Sequence, residues 1–305
     1  MLQLYAAIWR VNARRQVVLI LLSLAIAALA AVPLEFQRDI VNHLTEASID
    51  TSQLYLLGAG MGAVILLSLF LKFLLGFLSG SMGEHVIRLL RKRLISRAVA
   101  GDHHMGQGTL TAAVTSEAEE LGKFAGGAFA DPVVQIGTLI SVIGYISSTQ
   151  PGLGLIAVLM ILPQIGVVLL SQTQVNRYVA HRVKLLRSAS DQLSSHDIAA
   201  VVAEVETKFD EIYTTRRNMF LWKLSTKFVL SAINGAGTVA VLMLGGLLVL
   251  QGRTDVGTVV AAVSGLGRIQ GPSTFLIAFY RQVSANRIKF ELLRDLIGQG
   301  EATPG

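Results

Sequence analysis

Two cations stand where a bilayer core should be: Arg268 in the middle of the apolar stretch Val256 to Tyr280, and Lys72 in Leu54 to Leu78. An uncompensated charge at membrane depth costs roughly 2.5 to 3.5 kcal/mol on insertion scales, so such residues face a wet cavity or a partner. In a cavity, an ammonium and a guanidinium would hold a carboxylate, a phosphate or a lipid headgroup. The alternative is structural, with each cation paired to a helix dipole, a backbone carbonyl or Glu35. Ser264 and Pro272 lie four residues from Arg268 and share its helix face, whereas Gln270 lies on another. The candidate substrate contacts are therefore Lys72, Arg268 and Ser264.

Other chemistry is sparse. Asp102-His103-His104 lacks the helical spacing and the further ligand that a metal site needs, so no metal is expected, and a solvated turn that docks a partner is the plainer reading. Glu117, Glu119 and Glu120 read as a wet helix face. No Ser-His-Asp set, paired carboxylates or His-Glu-x-x-His appears, so no catalytic residue is assigned. With no cysteine in 305 residues, disulfides and thiolate chemistry are excluded.

The elements that must position those cations are membrane spans. The chain is 52% hydrophobic and only 15% charged, with a positive mean hydropathy, outside the range of a water-soluble globule. Its net charge of +6 does not imply nucleic acid, because the basic residues flank apolar runs. A span needs about 20 apolar residues. Scanning for that length gives an all-α membrane protein with six spans, at about 17–34, 54–78, 125–146, 153–171, 228–250 and 256–280. Asp131 and Pro132 interrupt the third and mark a bend. The first run, with Arg14 and Arg15 before it and Ala28-Leu29-Ala30 near its end, also has the outline of a signal peptide. It is longer than the usual apolar region of one, and residues 1–12 alternate like an interfacial amphipathic helix.

Charge asymmetry sets orientation. Of 26 Lys and Arg residues, 22 fall in the N-terminal segment, the loops 84–123 and 177–227, and the segment after Tyr280. By the positive-inside rule those parts, both termini included, are cytoplasmic. The two long inside loops show helical periodicity and must carry structure, which predicts two long helical hairpins. Pro163 and Pro272 should kink spans four and six, and small-residue pairs occur at Gly58/Gly62, Gly76/Gly80, Gly122/Gly126 and Gly267/Gly271.

Local marks accompany this topology. Gly108-Thr109-Leu110 is followed by Thr115-Ser116-Glu117. Gly252-Arg253-Thr254-Asp255-Val256-Gly257-Thr258 precedes the sixth span, Pro272 interrupts it, and Ala285-Asn286-Arg287-Ile288-Lys289-Phe290-Glu291-Leu292-Leu293 follows. With the six runs and two hairpins, over about residues 1–297, this resembles the transmembrane domain of an ATP-binding-cassette exporter. The resemblance implies that the hairpin tips dock on ATP-binding domains. By position the first tip falls at Asp102, His103, His104 and Met105, and the second at Ser195, His196, Asp197 and Ile198. The second hairpin departs from the family pattern, running Ala199-Ala200-Val201-Val202-Ala203 where a Val-Lys-Ala-Phe segment is usual.

No phosphate-binding loop is present. At the only Gly-Lys, Gly122-Lys123, Glu117 stands where the first glycine belongs and Phe124 where the hydroxyl belongs. The resemblance then implies no cofactor on this chain, ATP and magnesium on a separate nucleotide-binding ATPase subunit, and pairing as a homodimer or with a homologous membrane subunit. The expected place is the lipid of a bacterial inner membrane, crossed several times. The cargo would be amphipathic, lipid-like or anionic, moved by alternating access. A proton-driven carrier on the same helices and a non-transporting accessory subunit are the rivals. Residues 298–305 read as a flexible tail.

Overall fold

The computed structural model describes residues 2–45, 51–99, 110–111, 113–193 and 198–298. Every element among them is helical: α1 Leu2–Val11, α2 Ala13–Ala28, α3 Val32–Thr45, α4 Thr51–Val99, a π-turn at Ala113–Glu117, α5 Ala118–Gly127, α6 Ala130–Thr149, α7 Pro151–Leu193, α8 Ile198–Leu250 and α9 Val256–Gly298. At 1.5 Å per residue, the 49 residues of α4 extend about 74 Å, more than twice a hydrocarbon core of about 30 Å. The helix continues past the expected second span into the following loop, where the periodicity predicts helix.

The expected spans one and three are not single helices, and each break has a local cause. Residues 29–31 separate α2 from α3, and Pro33 sits in the first turn of α3, where its missing N–H costs no helical bond. The run Val17 to Leu34 is therefore interrupted by a short turn. Residues 128–129 separate α5 from α6 just before Asp131 and Pro132, at the bend expected from sequence. The buried amide of Gln16 braces that bend, donating to the Ala125 carbonyl at 3.4 Å. Pro163 and Pro272 lie inside α7 and α9 without ending them.

The chain divides into two compact units, one of Met1–Gly154 with Gly245–Gly305 and one of Leu155–Leu244. In the first, α1 is amphipathic as expected: Leu4 and Ile8 are buried in a core with Leu121, Phe124, Phe279 and Val283. Tyr5 packs edge-on to Phe124 and Phe129, and Phe124 stacks on Phe279 at 5.8 Å between ring centres. Of the four small-residue pairs, Gly122/Gly126 makes a close helix approach: a Cβ at Gly122 would strike Ile87 and the Gly83 carbonyl, and one at Gly126 the Ser79 carbonyl. Cβ atoms at Gly58, Gly62, Gly76, Gly80, Gly267 and Gly271 would meet nothing within 4 Å.

In the second unit α7 and α8 run antiparallel. Gln164 Nε2 donates to Asn234 Oδ1 at 2.9 Å, Thr226 Oγ1 to Ser171 Oγ at 2.5 Å, and Lys208 Nζ to Ser188 Oγ at 2.7 Å. As one partner's number rises the other's falls by nearly the same step, so the pairing stays close to one register along the two helices.

Candidate functional site

Four segments of the first unit line a half-open cavity of about 480 Å³. Leu29 and Ala30 come from the break between α2 and α3, Pro33 from the start of α3, and Ser68, Leu69 and Lys72 from α4. Val134, Gln135 and Thr138 come from α6, and Arg268 and Pro272 from α9. The two cations singled out by sequence thus share one cavity. Their surroundings differ. Arg268 is half-buried, and its Nη1 donates to the Ala30 carbonyl at 3.0 Å. Lys72 is exposed and has no hydrogen-bond or ion-pair partner among the described residues.

The contact to Ala30 follows from the bend. Ala30 lies in the turn just past the C-cap of α2, where the Leu34 amide donates to Ala31 and leaves the Ala30 carbonyl for another donor, near the negative end of the helix dipole. A guanidinium placed there satisfies a carbonyl and has its own charge partly compensated. Glu35 does not serve as counter-ion to either cation, because it pairs with Arg38 at 3.4 Å. Pro272 lines the cavity with Arg268. Ser264, one turn earlier on α9, is half-buried but is not among the lining residues. Gln270 is exposed, on another face.

Sequence reasoning missed Gln135 and Thr138, which line the cavity from α6; two polar residues three apart inside the third apolar run were the available signal. It also missed a polar latch. The chain leaves α8 through Gly252, whose φ of 65° closes the helix, with Arg253 N donating to Leu248 O and Gly252 N to Val249 O. It then begins α9 at Asp255, whose Oδ1 accepts from the Thr258 amide at 2.6 Å and whose Oδ2 accepts from the Thr258 hydroxyl at 2.9 Å. From α3, Asn42 Nδ2 donates to Asp255 Oδ1 at 2.8 Å, the Gly257 amide donates to Asn42 Oδ1 at 2.8 Å, and Arg38 reaches Asp255 Oδ2 at 3.5 Å. Burial pushes the Asp255 carboxyl up. The bonds from Asn42 and Thr258 and the charge of Arg38 outweigh that, so it titrates below the ordinary carboxylate value.

At the other end of α9, Lys289 pairs with Glu120 of α5, while Glu119 accepts from Lys123 at 2.6 Å and from Arg91 at 3.3 Å. Arg91 Nε also donates to the Val114 carbonyl at 2.9 Å, satisfying a group of the π-turn. Glu119 and Glu120 thus form cross-helix pairs as well as a polar face. Of the residues expected at the hairpin tips, Asp102, His103, His104, Met105, Ser195, His196 and Asp197 lie outside the described residues, and Ile198 opens α8.

Five helical segments among the described residues are long and apolar enough to cross a membrane: Ala13–Thr45, Thr51–Val99, Ala113–Thr149, Pro151–Leu186 and Ala203–Leu250. Helix α9 is not among them, although at 43 residues it has the length. Arg268, Gln270 and several glycines dilute its apolar run. These segments, together with a cation-lined cavity in the first unit, define a multi-pass helical membrane protein.

The family model of the ABC transporter transmembrane region matches residues 17–273, and the chain belongs to that family. No curated protein matches the chain.

Proposed function

We propose that the chain is the membrane subunit of an ABC transporter, moving an amphipathic, lipid-like or anionic molecule by alternating access, with ATP and magnesium held by a separate nucleotide-binding subunit. Family membership and the long apolar helices support the class. In this reading α9 is the sixth span, stabilised by the Arg268 contact to Ala30, and both termini are on the cytoplasmic side of a bacterial inner membrane. The tips at residues 102–105 and 195–198 dock on the ATPase. Two copies, or this chain and a homologous partner, enclose the transport path.

The observation that carries the cargo reading is the shared cavity of Lys72 and Arg268. Its test is the complex of the chain with its ATPase subunit in liposomes containing phosphatidylglycerol. Lys72→Ala is expected to raise the half-saturating concentration of lipid for stimulated ATP turnover by about tenfold, the worth of one charged contact, and Arg268→Ala to lower the stimulated turnover. Wild-type behaviour in both variants would remove the cavity assignment. Transport that persists without nucleotide and collapses with a protonophore would replace the ATP-driven mechanism.

A further inference from the structure

We propose that the two cations have different tasks: Lys72 is the contact for an oxyanion headgroup on a single-chain amphiphile, and Arg268 is a positioning residue that holds the cavity wall in shape. This rests on the reading of the cavity as a substrate site. The guanidinium of Arg268 is engaged by the Ala30 carbonyl at the break between α2 and α3, so its charge is partly compensated and its reach into the cavity is fixed. The ammonium of Lys72 has no such partner among the described residues and projects from a run of leucines and phenylalanines. An ammonium at that depth is stabilised most by an anion.

Neutral donors converge on the same volume. Ser68 lies one turn before Lys72 on α4, and Gln135 and Thr138 face it from α6. One ammonium with hydroxyl and amide groups suits a phosphate monoester or a carboxylate, and the apolar wall leaves room for the first carbons of a chain. A cavity of about 480 Å³ takes a headgroup and part of a tail. The rest has a continuous path: Leu69 lines the cavity and also belongs to an exposed stripe on α4 with Phe70, Phe73 and Phe77, each at least half exposed. Charge complementarity at one end and this unbroken apolar stripe at the other select the occupant.

The test uses the full chain in phosphatidylcholine nanodiscs, titrated with a tail-labelled fluorescent dodecyl phosphate and with its neutral dimethyl ester, against empty nanodiscs. The phosphate is expected to bind at least about tenfold more tightly than the ester. Lys72→Gln should abolish that difference without changing the thermal midpoint, and Lys72→Arg should restore it. Arg268→Gln should keep the difference while lowering the midpoint, with Arg268→Lys recovering part of the loss. Equal binding of phosphate and ester, or loss of discrimination in Arg268→Gln, would overturn the division of tasks while leaving a cargo cavity. Displacement by inorganic phosphate at the same concentration as the amphiphile would show a free-anion site and overturn the choice of ligand. Failure of both amphiphiles to bind would remove the cargo cavity itself.

Discussion

Gly126→Leu is expected to destabilise the chain by about 3 kcal/mol or more and to prevent recovery of monodisperse protein from detergent. A side chain at this position has no rotamer that avoids the clash, because the Cβ itself would strike the Ser79 carbonyl of α4. Backbone atoms, unlike the end of a long side chain, cannot yield without moving a helix, and overpacking of a filled interior costs about 1 to 3 kcal/mol even where side chains can shift. Gly122, one turn earlier, faces Ile87 and the Gly83 carbonyl, so the two glycines and their partners Ser79 and Gly83 form one small-residue seam between α4 and α5. Separating these helices would also disturb the core of Leu121, Phe124 and Phe279 beneath α1. Gly76→Leu is the matched control: its Cβ would meet nothing within 4 Å, and the expected change is within about 0.5 kcal/mol. The yield of monodisperse protein of the two variants, and the thermal midpoint by tryptophan fluorescence of whatever is recovered, decide the matter; equal yields and midpoints would remove the seam from the account.

All four Gly-x-x-x-Gly pairs look alike in the sequence, and only helix placement distinguishes Gly122/Gly126 from the rest. The helices themselves were legible because apolar runs and charged flanks are properties of the chain alone. So was the amphipathic α1, where Leu4 and Ile8 sit four apart and are both buried. Lys72 and Arg268 stood out because a charge in an apolar run is costly wherever the helix lies. Their unequal surroundings were not legible, since the contact of Arg268 to Ala30 depends on a break at residues 29–31 that the continuous run Val17 to Leu34 conceals. Ser264 was expected on helical spacing from Arg268, but α9 turns Pro272 toward the cavity instead. The pairing of Asn42 with Asp255 joins residues more than two hundred positions apart, a separation no local pattern encodes.

Asp255→Ala is expected to cost about 2 to 4 kcal/mol near neutral pH, because one carboxylate serves two structures. It caps α9 through the Thr258 amide, a role worth about 1 kcal/mol when replaced by alanine. It also accepts from Asn42 of α3, a hydrogen bond to a charged group worth about 1.5 to 3 kcal/mol. The Arg38 contact adds less, at 3.5 Å with 38% of the Asp255 side chain exposed, where solvent screens the pair. The pH dependence has a definite sign. The folded carboxyl titrates below its ordinary value, so its contribution is complete at neutral pH and is lost as pH falls below about 4, through the folded value. The stability gap between wild type and Asp255→Ala should therefore narrow in acid and stay constant from about pH 5 to 8. Asp255→Asn separates the two roles, since asparagine caps a helix about as well but brings no charge to Asn42 and Arg38. Its midpoint should fall between those of wild type and Asp255→Ala, with the acid dependence reduced. Matching midpoints for Asp255→Asn and wild type at neutral pH would show that the cap alone matters and that the link from α3 to α9 carries no net stability.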